Sequence, residues 1–258
     1  MEKIVLTIAG SDPSGGAGIQ ADLATFADLG ITGLSAITAI TAQNAQEVLA
    51  IYPTPADVLT QQLSTACKGK SLDAIKIGMV ATQANVKAIV WFLHHTSSNH
   101  IVIDPVLHSS SGVPLLEAKA LAFYRRQLLP LATVITPNLQ EAGVLAGMQV
   151  ASLDTMRKAA ETIHIEAKRL GGNADKQLAV LVKGGHLEGD AVDVLFDGEK
   201  FFSFPAKRIA GPSPRGTGCR FSSAIAARLA SQDDLHTAIR KAKEYLAKYI
   251  LEKMHDKF

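Results

Sequence analysis

Short runs of β-branched and aliphatic residues alternate with longer amphipathic stretches along almost the whole chain, and this alternation limits the possible folds more than any other feature. The strand-like runs are 4–9, 34–40, 74–77, 101–103, 133–135 and 179–182. The helix-like stretches between and after them are 16–29, 56–66, 83–95, 116–128, 139–146 and 153–170. Repeated strand–helix units predict a doubly wound, mostly parallel central sheet with helices on both faces. Pro53 and Pro55 stand just before the second helix, where proline is tolerated. Late in the chain the runs 191–196 and 200–204 flank Asp197-Gly198, a hairpin signal. Two helices, 217–230 and 235–252, finish the pattern. No internal repeat, low-complexity tract or linker interrupts it, so residues 1–258 are expected to form a single domain.

Sheets of this kind bind ligands beyond the carboxyl ends of their strands. Those ends are polar here: Gly10-Ser11-Asp12-Pro13, Thr41-Ala42-Gln43-Asn44, Lys76-Ile77-Gly78-Met79, Asp104-Pro105, Thr136-Pro137-Asn138 and Lys183-Gly184-Gly185-His186. Each is also ordinary turn chemistry; six together argue for a site. The run Gly216-Thr217-Gly218-Cys219 opens a helical pattern. A small-residue turn at a helix start leaves backbone N–H groups unpartnered in a positive field, which suits an anion. A thiol in the same turn is expected to have a lowered pKa. The plainer reading is a glycine turn followed by a small buried hydrophobe.

Composition excludes several classes. The net charge is +2 with no basic block, so neither nucleic acid nor an anionic membrane is indicated as a partner. Cys67 and Cys219 are the two cysteines, far apart and without metal-ligand spacing, which fits a reducing cytoplasm. No apolar stretch approaches the ~20 residues needed to span a bilayer. Gly16-x-Gly18-x-x-Ala21 imitates a dinucleotide fingerprint, but the region 37–43 offers no acid for the ribose. Gly69-Lys70-Ser71 lacks the first glycine of a phosphate loop, since Ser64 stands there. His94, His95 and His100 read as a solvated helix end. No G-x-S-x-G occurs, which argues against that class of hydrolase.

Taken in order, the motifs resemble those of the ribokinase-like kinases, and among them the hydroxymethylpyrimidine/phosphomethylpyrimidine kinases of thiamine biosynthesis. The resemblance rests on residues 9–23 (AGSDPSGGAGIQADL), Ala42-Gln43-Asn44, Lys76-Ile77-Gly78-Met79 and Asp104-Pro105-Val106. It continues through Thr136-Pro137-Asn138-Leu139-x-Glu141-Ala142, Lys183-Gly184-Gly185-His186-Leu187 and Gly216-Thr217-Gly218-Cys219, nearly the whole chain. It implies a ribokinase-like fold, a homodimer, and an ATP- and Mg²⁺-dependent transfer of phosphate to an aminopyrimidine.

What the resemblance implies for single residues can be checked against their chemistry. Gly216, Thr217 and Gly218 would cradle the transferring phosphoryl group and Cys219 would take the substrate's hydroxyl proton. Asn138 and Glu141, three apart at a helix start, would position phosphate and magnesium, with Asp104 a second carboxylate near the metal. Asp104 also reads as the cap of a proline turn. Lys183 reads equally as an ATP-phosphate ligand or as turn decoration. Gln43, whose amide both donates and accepts, would meet the pyrimidine edge. Asp22, the Gly10 backbone and Met79 would share that pocket; their plainer readings are a first-turn acid for Asp22 and a core gap-filler for Met79. The adenine side would come from residues 196–204 and Lys243.

The chain departs from the family at two places. Arg215 and Arg220 flank the anion turn, where they are expected to contact phosphate and depress the Cys219 pKa further, or to mark a shifted substrate. The loop after Val106 reads Leu107-His108-Ser109-Ser110-Ser111-Gly112 and lacks the family's lysine at Ser110. A pyridoxal-type kinase of the same fold and a non-catalytic vitamin-binding regulator are the rival readings.

Overall fold

The computed structural model describes residues 2–98, 100–171, 178–185, 187, 189–211 and 214–255; His186 of the sequence motifs lies outside them. The strands are β1 (Ile4–Ser11), β2 (Thr32–Gln43), β3 (Val48–Pro53), β4 (Ala74–Ile77), β5 (Ile101–Ile103), β6 (Val134–Ile135), β7 (Ala179–Val182), β8 (Ala191–Phe196) and β9 (Phe201–Ala206). They form one sheet in the order β3-β2-β1-β4-β5-β6-β7-β8-β9. From β2 to β7 neighbouring strands pair in parallel, while β3 and β8 run antiparallel to their neighbours. The fold is the mostly parallel, doubly wound sheet expected from the alternation.

The alternation of side chains along each strand builds two cores. Leu6 and Ile8 of β1 and Ile75 and Ile77 of β4 enter a cluster with α2 (Ala56–Ala66), α3 (Gln83–His94), α5 (Leu139–Ala146) and α6 (Leu153–Gly171). Val5 and Ala74 face the other way, into a cluster with Phe26 of α1 (Gly18–Asp28), Phe221 and Ile225 of α7 (Thr217–Ala230) and Ile239 of α8 (Leu235–His255). On this second face the apolar rows Val5-Thr7 and Ala74-Lys76 turn polar at their carboxyl ends. Polar groups buried there need internal partners.

The structure adds one strand that the sequence reading left in a connection. Val48–Pro53 pairs antiparallel with β2, from Ala39↔Pro53 to Gln43↔Val48. Asn44 closes this hairpin, its side-chain oxygen accepting the Gln46 and Glu47 N–H groups at 2.8 and 3.0 Å. Pro53 is tolerated because β3 is an edge strand. The expected helix 116–128 is instead irregular: Ala118–Ala120 is 3₁₀, α4 (Leu121–Phe123) is a single α-turn, Tyr124–Leu128 is π, and Leu129–Leu131 is again 3₁₀. The last helix continues past 252 to His255. No described helix is long and apolar enough to cross a membrane.

Sequence order reverses at β1, which has β2 on one side and β4 on the other. This is the switch point at which sheets of this kind open a crevice beyond their strand ends.

Candidate active site

A cleft of about 180 Å³ occupies that crevice. It is bordered by the ends of β1, β2, β4, β5, β6 and β7 and by the start of α7. Of the residues singled out in the sequence, Gly10, Gln43, Met79, Asp104, Asn138, Glu141, Lys183, Arg215, Gly216, Gly218 and Cys219 border it. Asp22, Thr217 and Arg220 do not.

Backbone proximity makes the floor. A Cβ on Gly18, where φ is +59°, would lie 2.3 Å from the Gly10 carbonyl oxygen. A Cβ on Gly216, where φ is +72°, would lie 1.9 Å from the Gly16 carbonyl oxygen. Only glycine permits these approaches, so the loop after β1 and the turn before α7 pack backbone on backbone. Met79 lies directly over Gly10, whose missing side chain would meet its sulfur at 2.8 Å. Asp12 knits the loop: its carboxylate accepts from the Ser14 N–H and hydroxyl at 2.9 and 2.7 Å and from the Ala17 N–H at 2.9 Å. Burial pushes this carboxyl up, but those donors and the Gln43 side chain outweigh it and hold the group below the ordinary aspartate range.

The anion turn has the predicted form. Gly216 is the N-cap in the left-handed region, no side chain caps the helix, and Cys219 is its third residue. Gly216, Gly218 and Cys219 of this turn border the cleft, and no cap side chain occupies the N–H groups at the helix start. The thiol does not follow the expected direction. Cys219 is half-buried, and burial pushes its pKa up; Lys76 pulls it down, Asp22 and Asp104 push it further up, and the Gly18 N–H pulls it down. The desolvation of a charged sulfur exceeds the help from its donors, so the lowering expected from the helix start alone is corrected.

Two carboxylates lie opposite. Asp104, buried, accepts from Lys183 Nζ at 2.7 Å and from the Thr136 and Ser222 hydroxyls at 3.3 Å each. Burial opposes its charge, yet Lys183 and Lys76 hold it below the usual carboxylate range. Glu141 and Asn138 form a reciprocal capping box at the start of α5, with contacts of 2.8 and 2.9 Å. Burial raises Glu141 to about 7, opposed by Lys183 and reinforced by the negative Asp104. Lys183 itself is held above the ordinary lysine range: burial acts against it, but Asp104 and Glu141 more than compensate. Among the described residues no three His, Cys, Asp or Glu side chains gather into a metal cage. A pair of carboxylates, one of them short of positive charge, fits Mg²⁺, which keeps most of its shell for phosphate and water.

Three expectations change in position. Asp22 is fully buried beneath the cleft. It accepts from Lys76 Nζ at 2.8 and 2.9 Å, from Ser223 at 2.7 Å and from Thr7 at 2.6 Å, so no lone pair is left to reach a ligand. Arg220 also points away: its guanidinium stacks 4.1 Å over the Tyr249 ring and reaches Thr25 at 3.5 Å. One helical step past Cys219 turns it toward α1 and α8 instead of the phosphate side. Arg215 does border the cleft, but it donates to the Asn44 carbonyl across the mouth, tying the anion turn to the β2–β3 hairpin. Lys243, expected near the nucleotide, is occupied by Asp193 at 2.6 Å and by the Ala191 and Phe204 carbonyls.

Lys76 is the residue whose importance the sequence reading missed. It borders the cleft yet exposes none of its surface. The available signal was a lysine inside a four-residue strand otherwise made of Ala and Ile.

The chain is similar in sequence and fold to several known kinases. A family model described as phosphomethylpyrimidine kinase matches residues 12–256. The hydroxymethylpyrimidine/phosphomethylpyrimidine kinase of Aquifex aeolicus is 40% identical over 248 residues, covering 96% of this chain and 94% of that protein. The crystal structure of phosphomethylpyrimidine kinase from Clostridium difficile superposes with a TM-score of 0.82 at 38% identity, covering 96% of this chain and all (100%) of that one. Pyridoxal kinase from Staphylococcus aureus, solved with AMP-PCP and pyridoxal, gives a TM-score of 0.84 at 34% identity, covering 97% of this chain and 88% of that one.

Proposed function

This chain belongs to the phosphomethylpyrimidine kinase family and is a phosphotransferase; from that premise we propose that it uses ATP to phosphorylate the 5-hydroxymethyl group of 4-amino-5-hydroxymethyl-2-methylpyrimidine. The monophosphate is then phosphorylated again to the diphosphate that thiamine synthesis consumes. The observation that carries this reading is the sharing of one cleft by the anion turn, Cys219 and Gln43.

In the first step Cys219 receives the hydroxyl proton as the substrate oxygen bonds the γ-phosphorus and the bond to the β-phosphate oxygen breaks, releasing ADP. The N–H groups of 216–219 stabilise charge on the transferring group, and Lys183, Asn138 and Arg215 orient the phosphates. Arg215 reaches them by leaving the Asn44 carbonyl. Glu141 and Asp104 would hold Mg²⁺, which when bound neutralises phosphate charge. Gln43 meets the aminopyrimidine edge while Gly10 and Met79 pack on the ring. Asp22 acts from below, through Lys76, and not on the substrate.

The neighbouring pyridoxal kinase keeps a second reading alive, phosphorylation of a pyridoxal-type alcohol on the same frame. Gln43→Met should favour it. A binder that never turns over would have no use for the open anion turn. The test mixes protein, Mg-ATP and the hydroxymethylpyrimidine, with pyridoxal in parallel, and follows products by mass spectrometry. Sequential mono- and diphosphate support the proposal. Pyridoxal phosphate with no pyrimidine product moves the chain to the second reading, and ligand binding without product to the third. Cys219→Ser is expected to slow the first step about 10²-fold; full retention of rate removes the thiol from its role.

A further inference from the structure

We propose that Lys76 is a positioning residue for this reaction: its buried ammonium is the fixed cation behind the Cys219 sulfur and supports the thiolate, while Asp22 anchors it from the far side. The inference rests on the reading of Cys219 as the base.

The geometry comes from two helix starts. Asp22 follows Gly18 by one turn of α1, and Ser223 follows Cys219 by one turn of α7, so each pair shares a face. At one level the Gly18 N–H pulls the Cys219 pKa down. One turn deeper, Ser223 donates to Asp22 at 2.7 Å. Lys76 reaches Asp22 from β4, bound through both carboxylate oxygens at 2.8 and 2.9 Å. Its side chain is wholly buried, yet it borders the cleft that Cys219 borders. The ammonium is thus tied to a buried carboxylate and belongs to the cleft wall that Cys219 shares.

Other charges surround the thiol. Asp104 approaches from beyond β5 and Lys183 from beyond β7, with Glu141 of α5 acting on Lys183. Arg215 borders the same cleft, and Arg220, on the sulfur's own helix, is turned to Tyr249. Asp104 and Lys183 are already paired to each other at 2.7 Å. Among these charges Lys76 acts most strongly on the thiol, and its pull exceeds the push of Asp22 and the push of Asp104 taken singly.

The experiment reads the thiol directly and needs no turnover. In a Cys67→Ser background Cys219 is the chain's single cysteine. Its rate of alkylation by iodoacetamide is followed against pH. Lys76→Met is expected to slow alkylation at pH 7.5 about three- to tenfold and to move the profile upward. Asp22→Asn is expected to do the reverse, because it removes the anionic end and leaves the cation. A purely structural pair would make both variants move the rate in the same direction, and that result, or unmoved profiles, overturns the proposal. Where a single variant fails to fold, Asp22→Asn/Lys76→Met leaves no charge unpaired and carries the test. Its profile is expected above the parent's, since the cationic end acts more strongly on the sulfur; coincidence with the parent overturns the proposal. Shifted profiles together with a fully active Cys219→Ser would retain the Lys76 effect and discard the base assignment. Unmoved profiles with an inactive Cys219→Ser would do the opposite.

Discussion

Two lysine–aspartate pairs sit under the same cleft, and access is what separates them. Lys76–Asp22 is sealed, with neither side chain exposed (0% and 0%), whereas Lys183–Asp104 keeps 15% of its lysine open (3% for the aspartate). A sealed pair cannot exchange its partner, so its field is constant through a reaction cycle. An open pair can trade a carboxylate for an incoming phosphate, because the desolvation of the lysine is largely complete before the ligand arrives. On the proposed mechanism, similar chemistry would serve as fixed background in one place and as a ligand-responsive contact in the other.

The largest expected effect tests the seal. Asp22→Asn leaves an ammonium buried without its counter-charge and should cost about 3–5 kcal/mol, measured by urea denaturation. Adding Lys76→Met should restore most of that loss; if it does not, the pair is not what the carboxylate was serving. Lys183→Met should separate the two quantities that Asp22→Asn confounds. Catalysis should fall about 10²–10³-fold. Stability should fall by only about 1–3 kcal/mol, because Asp104 retains Thr136, Ser222 and the nearby Lys76. Comparable losses of stability in the two variants would erase the distinction between sealed and open.

Glu141 sharpens the comparison through pH. Its folded pKa of about 7 lies above the ordinary 4.5. Its contribution to stability is therefore full below about pH 4.5 and is lost as pH rises through 7, a total of about 3 kcal/mol. Glu141→Gln, which keeps an acceptor for the Asn138 N–H, should match the parent at pH 4.5 and exceed it by about that amount at pH 8, while losing kinase activity. Parallel stability curves would mean that the carboxyl is ionised throughout. The smallest effect belongs to a pair that is neither sealed nor near the cleft. Arg240–Glu244 spans one turn of α8 at 2.9 Å with both side chains exposed, and Arg240→Ala should change stability by about 0.3–0.5 kcal/mol.

The sequence was legible where local pattern decides. Ala74–Ile77, Ile101–Ile103, Ala179–Val182 and Ala191–Phe196 appear as strands with the bounds that their β-branched runs suggested, and the anion turn starts α7 where its glycines require. It was illegible where the partner is remote or the burial is mixed. Lys76 meets an aspartate 54 residues away, and its one local mark, a lysine among Ala and Ile in a short strand, does not say which residue pairs with it. Arg220 differs from Arg215 by helix phase, which depends on where α7 begins and what packs on its far side. β3 escaped because it is an edge strand ending in proline with Leu49 and Tyr52 exposed, so it carries no clean inward–outward alternation. The 118–131 segment escaped because its turns change pitch repeatedly, and a 3.6-residue period does not describe them.

Gly18 and Gly216 have a consequence for how such a gene tolerates copying errors. At both positions the crowding atom is a carbonyl oxygen of the backbone, 2.3 and 1.9 Å from where a Cβ would stand. Every missense change of a glycine codon adds at least that carbon, so neither position has a benign single-step neighbour. Neither residue brings a side chain to the site, yet both are expected to be as mutation-intolerant as Cys219. In a saturation library scored by growth without thiamine, Gly18, Gly216 and Cys219 should be depleted alike.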